Sequence, residues 1–364
     1  MQLEPLVTLG LYADTSLIGV DAVIYQTDGL DILGEHKELH RPYPYELKEK
    51  IQHLCQKDGK VSLKKLNDLE EEITSFHQTV AQEMFEDNRT LFPKAHVISF
   101  PGQLINLDTQ KRQVLTLGNA QKLADFFACP VVTRFIQADL KAGGMGRPLF
   151  PFFVETLTRQ ETRPLEFIAL GGITSVVEVG SEGQLIAFDV SCGQVLMDLW
   201  AKRYFGEDMD YGGAFALQGK VSKRILNKLL KHPFLLKKPP KSLDRDAFDQ
   251  ILEDINLSPE DGMATLTAFT AQTILRASKF YPTEPKLTIL SGGGTNNPVL
   301  IHQIQAAKSN VKFITDLGWD NNSMEAGNYA FLAVRTLHHL PISIPETTGA
   351  EEAVLGGEVI LPNK

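Results

Sequence analysis

Asp139 is followed within a few residues by Gly143, Gly144 and Gly146. A carboxylate acts as a general base only within hydrogen-bond reach of the proton it takes, and glycines let a substrate come close to the backbone beside it. The same residues suit a polar turn before a helix beginning near Pro148, and in isolation that plainer reading is the stronger one. Gly292, Gly293 and Gly294 follow an apolar run and precede Asn296, Asn297 and a helical pattern. Backbone N–H groups at a helix start favour phosphate oxygens. A tight turn would use three glycines too, but their place between strand and helix favours a nucleotide. Asp21 and Asp189 lie at strand edges or ends, where two carboxylates could hold Mg2+ together with substrate phosphates. Surface or capping aspartates are the commoner case. Lys237, Lys238 and Lys241 could attract phosphate, although a solvated loop around Pro239 and Pro240 accounts for them more simply. His77 and His232 have no metal-ligand spacing and are taken as structural or exposed.

Positioning these residues requires strands that end at glycine turns. Leu6 to Tyr25 reads as a strand, a polar turn around Ala13 to Ser16, and a second strand from Val20. His36 to Tyr45 reads as a connection, and the charged, periodic stretch Tyr45 to Asn88 as helices with solvated faces. His96–Phe100 is a strand, Ala120–Ala128 a short helix, and Val131–Thr133 a strand. Phe167–Leu170 turns at Gly171 and Gly172 into Ile173–Val179, with Leu185–Val190 as the next strand. Gly262–Ser278 is a helix, Leu287–Leu290 a strand, and Ser323–Leu337 a late helix. The strand, turn, strand pattern occurs twice, which predicts two mixed-sheet lobes facing each other across a cleft.

The 364 residues suffice for two such lobes, and 43% hydrophobic with 22% charged residues is ordinary for a globular protein. A net charge of -9 argues against nucleic acid or an anionic membrane surface as partner and leaves a small molecule. Cys55, Cys129 and Cys192 are too few and too scattered for a disulfide framework or a zinc site. With neither a secretory leader nor a membrane-spanning run in view, a cytoplasmic location is expected.

Several segments, in order, resemble the anhydro-N-acetylmuramic acid kinase family. ADLKAGGMGRPL at Ala138–Leu149 is similar to the family's RDVAAGGQGAPL. LGGI at Leu170–Ile173, FDVSCGQVLMDLW at Phe188–Trp200, PPKSLDRDAF at Pro239–Phe248 and ATLTAFTAQTI at Ala264–Ile274 come next. SGGGTNNPVL at Ser291–Leu300 and SMEAGNYAFLA at Ser323–Ala333 complete the series, so the resemblance runs from about Leu9 to Leu361.

The resemblance implies an α/β fold of two ribonuclease H-like, actin-like ATPase lobes with ATP in the cleft. The expected lobes are 1–135 and 136–364, with the final helix and tail free to return to the first. It further implies a kinase that opens the 1,6-anhydro bridge of anhydro-N-acetylmuramic acid with water while moving the γ-phosphate of ATP to O6, with Mg2+ and as a homodimer. Asp139 matches the family's catalytic base. Asp14, Thr15 and Ser16 fall in the first phosphate loop, Gly171 and Gly172 in the second, and Gly292 to Gly294 with Asn297 in the nucleotide turn. Gln103 and Glu325 match positions near the sugar. Some loops depart from the family pattern: ADTSLIG at Ala13–Gly19 replaces SGTSxDG, PGQL at Pro101–Leu104 replaces HGQT, and FDVSCGQ replaces FDTGPGN. Ala169 replaces an asparagine. Asp14 would repel phosphates. A relative that binds nucleotide or sugar with little catalysis, or a kinase for another amino sugar, is therefore the alternative.

Overall fold

The computed structural model describes residues 3–13, 15–55, 61–109, 111–243 and 248–363. The chain opens with β1 (Leu6–Tyr12), β2 (Gly19–Thr27) and β3 (Ile32–Pro42), an antiparallel meander, and continues into α1 (Tyr45–Cys55) and α2 (Leu63–Asp87). β3 occupies the stretch expected to be a connection. It is the edge strand of its sheet, paired with β2 alone, so it carries the charged set Glu35, His36, Lys37 and Glu38 rather than an apolar row. Ser62 starts α2 by accepting the Lys65 N–H.

β4 (Val97–Ser99) lies parallel to β1. After it come a hairpin of β5 (Gln103–Asp108) and β6 (Gln113–Leu117), then α3 (Ala120–Phe127), β7 (Val131–Thr133) parallel to β4, α4 (Phe135–Lys141) and α5 (Pro151–Leu157). Alternation of apolar and polar residues is weak in β4 and β7 because both are buried, as a parallel core requires.

A second meander comes next, β8 (Leu165–Leu170), β9 (Ile173–Val179) and β10 (Leu185–Cys192), with α6 (Val195–Phe205), α7 (Lys223–Leu229), α8 (Pro233–Leu236) and α9 (Pro259–Ala277). β11 (Leu287–Ser291) is parallel to β8, and after α10 (Pro298–Gln305), β12 (Val311–Phe313) is parallel to β11. α9 begins at Ser258, which caps the Asp261 N–H, with Pro259 next and acidic Glu260 and Asp261 in its first turn. The chain ends with α11 (Met324–Leu337), β13 (Pro341–Ser343), β14 (Val354–Leu355) and β15 (Glu358–Ile360).

The first sheet runs β15-β7-β4-β1-β2-β3 and the second β10-β9-β8-β11-β12. Setting β15 aside, both obey one rule: an antiparallel triplet whose first strand is central, then two strands parallel to that first one. This is the ribonuclease H-like strand order, present twice, and it makes the chain an α/β protein with mixed sheets.

Contacts divide the chain into two compact units, one of Met1–Leu157, Asn322–Pro345 and Gly349–Lys364, the other of Thr158–Asn321 and Glu346–Thr348. The division falls after Leu157 rather than between 135 and 136. The reason is packing: Phe135, Ile136, Leu140 and Leu149 share a core with Val97, Val132, Leu332 and Val334. α11 completes that unit, where the Tyr25 hydroxyl donates to Gly327 O at 2.6 Å and Thr8 Oγ1 to Ala330 O at 3.0 Å. The other unit closes around Trp200, Phe248 and Phe269 and, separately, around Phe188, Ile274 and Leu290.

Candidate active site

In the first sheet β1, β4 and β7 point the same way, and the strand order reverses at β1. The carboxyl ends of such strands, at a topological switch point, are where open α/β sheets bind ligands. β1 leads into a turn with Thr15 half-buried and Ser16 exposed, while Asp14 lies outside the described residues. β4 leads into Phe100 to Gln103, and β7 into α4, which carries Asp139.

Asp139 is fully buried, one helical turn beyond Phe135 on the same face of α4. Its carboxylate is held from two directions. The Gly146 N–H donates to Oδ2 at 2.7 Å, and the Ser343 hydroxyl donates to Oδ1 at 2.5 Å. The glycines after α4 therefore wrap the carboxylate, so the turn and the acid read from the sequence are one structure. Phe135 also packs on Tyr329 of α11, with ring centroids 5.3 Å apart, and Tyr12 stacks on Tyr329 at 5.4 Å. Asp139 and Glu325 each stand one turn from that aromatic contact, on α4 and α11. Burial drives the Tyr329 hydroxyl well above the usual phenol range, Glu325 adds to this, and Arg147 opposes it, so both charges lie near this ring. Arg147 carries no signal of this role in the sequence.

Gln103 is also buried, but its amide is committed within the unit: it accepts from the Tyr43 hydroxyl at 2.8 Å and donates to Leu104 O at 2.9 Å. Nearby, His77 packs its ring against Tyr43 and Phe100. Its Nδ1 lies 2.8 Å from Ile73 O, which can only accept, so Nδ1 bears the proton of the neutral ring.

In the second unit the glycine segments meet. Gly171 and Gly172 form the β8–β9 turn, where Gly193 N–H donates to Gly172 O and Gln194 N–H to Gly171 O, each at 2.9 Å. The glycine run after β11 lies alongside, because Ser291 pairs with Ala169 across the parallel ladder. Gly292 has φ +91°, and a Cβ there would stand 2.8 Å from Leu170 O. Gly293 is exposed, with no atom within 4 Å of an added Cβ. The resulting surface is bare backbone at the carboxyl edge of the second sheet, suited to phosphate or ribose oxygens. Asn297 also caps α10: its Oδ1 accepts from the N–H groups of Val299 and Leu300.

Of the two proposed metal ligands, Asp189 is engaged by protein donors on both oxygens and Asp21 on Oδ1. Asp189 is buried, with Oδ1 accepting from Ser175 Oγ at 2.6 Å and Oδ2 from Ser242 Oγ and Leu243 N–H at 2.8 Å, so it pins the 241–243 segment to β10. Asp21 faces His40 Nδ1 at 2.7 Å across the β2–β3 ladder. Among the described residues no group of three or more His, Cys, Asp or Glu could hold a metal ion. Lys241 is not solvated. It is 4% exposed, among the rings of Phe188, Phe234 and Phe280 at 4.8 to 5.5 Å, and burial with Lys279 nearby pushes its ammonium down to about 8.

A profile of the anhydro-N-acetylmuramic acid kinase family matches residues 6–362. The chain belongs to that family. An anhydro-N-acetylmuramic acid kinase of Rhodospirillum rubrum is 35% identical over 352 residues, covering 96% of this chain and 92% of the relative. One of Gluconobacter oxydans is 35% identical over 361 residues, covering 97% and 99%. Solved structures are more distant. The activator of 2-hydroxyisocaproyl-CoA dehydratase from Clostridium difficile with bound ADPNP has a TM-score of 0.42 at 12% identity, covering 90% of this chain and 94% of that one. A ROK family glucokinase from Streptomyces griseus in complex with glucose and AMPPNP has a TM-score of 0.38 at 12% identity, covering 90% and 99%. At those scores the likeness bears on neither fold nor chemistry.

In this family member the contacts that no motif advertised are polar anchors distant in the chain. Asn321 accepts from the Gly292 N–H through Oδ1 and donates to Thr295 Oγ1, each at 3.0 Å, and Thr295 Oγ1 donates to Gly292 O at 2.7 Å. Asn321 thereby locks the glycine turn. Ser343 does the same for Asp139. Neither has a local signal, since each partner lies in another element.

Among the described residues no helix is long and apolar enough to cross a membrane.

Proposed function

We propose that the protein is an ATP-dependent kinase that hydrolyses the 1,6-anhydro bridge of anhydro-N-acetylmuramic acid and phosphorylates O6, in the reuse of cell-wall sugar in the cytoplasm. The observation that carries the reading is Asp139, buried at the carboxyl edge of the first sheet with its carboxylate fixed by two donors, in a chain aligned with the kinase family over nearly its whole length. In this reading Asp139 takes a proton from water as the water oxygen bonds to C1. The C1–O6 bond breaks, O6 bonds to the γ-phosphorus, and the bond from that phosphorus to the β,γ-bridging oxygen breaks to release ADP. Glu325, one turn from the Tyr329 ring, faces the sugar, and Thr15 and Ser16 serve the phosphates. Gly171, Gly172 and the Gly292–Gly294 turn receive the nucleotide through backbone N–H groups. Mg2+, when bound, would offset phosphate charge, chiefly through phosphate and water oxygens.

A second reading, a kinase for another amino sugar or a weakly catalytic binder, draws on Gln103, whose amide is turned into its own unit. Incubating the protein with ATP, Mg2+ and anhydro-N-acetylmuramic acid, with ADP release and phosphorus NMR of the sugar as readouts, separates the two. Stoichiometric 6-phosphate supports the kinase, and a general base contributes about 10² to 10⁴-fold, so Asp139→Asn should lose turnover by that order while still binding ATP. Wild-type protein that binds ATP but yields no phosphorylated anhydro sugar supports the second reading.

A further inference from the structure

We infer that Ser343 is a positioning residue for Asp139, setting the direction from which its carboxylate meets the reacting water; this rests on the reading of Asp139 as the base. Ser343 and Asp139 are both fully buried, and the serine hydroxyl is 2.5 Å from Oδ1. A carboxylate only accepts, so the hydroxyl donates, and a bond to a charged acceptor is stronger than one between neutral groups.

The remaining geometry explains why a second donor is needed. The Gly146 N–H engages Oδ2, and a donor on one carboxylate oxygen restrains rotation about Cβ–Cγ less than donors on both. A second donor on the other oxygen, delivered by a different element, adds that restraint. Ser343 arrives on β13, which pairs with β14, and that ladder is fixed to α4 at two further places. The Glu351 N–H donates to Ala142 O at 2.9 Å, just past the end of α4, and Gly356 lies against Ala138, where an added Cβ would stand 2.8 Å from the alanine Cβ. The hydroxyl is therefore held against the helix that bears the acid rather than left to find it. Because a misplacement of about 1 Å can cost about 10²-fold in rate, orientation of this kind has a kinetic consequence beyond fold stability.

The test is a double-mutant cycle in the full chain, with kcat, both KM values and the melting temperature measured for Ser343→Ala, Asp139→Asn and the double variant. Ser343→Ala should lower kcat about 10-fold or more, leave the KM values for ATP and sugar within about two-fold, and cost nothing further in the Asp139→Asn background. Ser343→Thr, which keeps the hydroxyl, should recover most of the lost kcat if its melting temperature matches wild type. Wild-type kcat in Ser343→Ala would overturn the proposal. So would the same fold-loss from Ser343→Ala in both backgrounds, which marks a role not exerted through Asp139. Full turnover in Asp139→Asn alone would instead remove the base, and with it the role given to Ser343.

Discussion

Gly144 and Asp139 leave no room for an atom between them: a Cβ on Gly144 would stand 2.1 Å from Oδ2 of the aspartate. The backbone at 144 is not in the left-handed region, so alanine is conformationally allowed there and the nearest conflict is with the carboxylate. Gly144→Ala should displace Asp139 while the fold persists. Turnover is expected to fall about 10²-fold, and the melting temperature to fall with it, since the displaced buried carboxylate gives up its donors as well as its alignment. Wild-type kcat in this variant would show that the carboxylate's present position is not the productive one.

The glycine turn proposed to hold the nucleotide offers a matched pair of substitutions. Gly292→Ala meets Leu170 O and a φ of +91°, so it should lower stability and ATP affinity together. Gly293→Ala meets nothing within 4 Å and needs no unusual φ. It should therefore leave the melting temperature unchanged and weaken ATP binding about 10-fold by keeping the phosphates off the backbone, a loss of about 1.4 kcal/mol. Calorimetric titration with ATP reads this directly. Unchanged affinity in Gly293→Ala would place the nucleotide away from this face.

Two buried groups give the pH dependence of stability opposite slopes. Burial pushes the Glu178 carboxyl up to about 7, from an ordinary value of 4.5. Glu178 stands directly across the β8–β9 ladder from Glu166, which already accepts from Thr288 Oγ1 and Lys308 Nζ; Tyr281 is also close. The folded chain thus holds a proton here that the unfolded chain has released, and stability falls as pH rises from about 4.5 to about 7. Burial depresses the His77 ring to about 4, only partly offset by its bond to Ile73. The unfolded chain takes up that proton first, so this contribution falls as pH drops from about 6.5 to about 4. Denaturant unfolding across pH 4.5 to 6.5 should show stability rising with pH in Glu178→Gln relative to wild type, and falling more steeply in His77→Phe. Parallel curves for wild type and Glu178→Gln would mean that Glu178 ionises normally.

The repeated hairpin is legible in the sequence because an apolar strand, a glycine or polar turn and another apolar strand leave a local trace. Leu6–Tyr25 and Phe167–Val190 carry it in plain form. β3 is hidden because an edge strand carries charges, and Glu35 to Glu38 look like loop composition. The junction expected at 135 fails for a different reason. Phe135, Ile136 and Leu140 form a helix whose destination, a core with Val97 and Leu332, depends on contacts that no window of residues reveals. The same limit applies to the site. Asp139 and its glycines are close in sequence and can be read together, whereas Asn321 and Ser343 act on partners in other elements. Asp189 illustrates the converse: a strand-end carboxylate suggests a metal, and three donors from its own unit take it instead.

The first unit is assembled from both ends of the chain, with nearly all of the second unit inserted between them. Synthesis runs from the amino end, and domains generally fold as units while it proceeds. β1 to β7 therefore emerge without α11, whose Ala330, Phe331 and Leu332 are to fill the core beside them, while residues 158–321 can close around their own core first. Asp139 leaves the ribosome roughly 200 residues ahead of the hydroxyl that orients it. The candidate base is thus completed only after nearly all of the second unit has been made, and a nascent chain halted before residue 343 would carry a finished glycine turn and an unaligned acid.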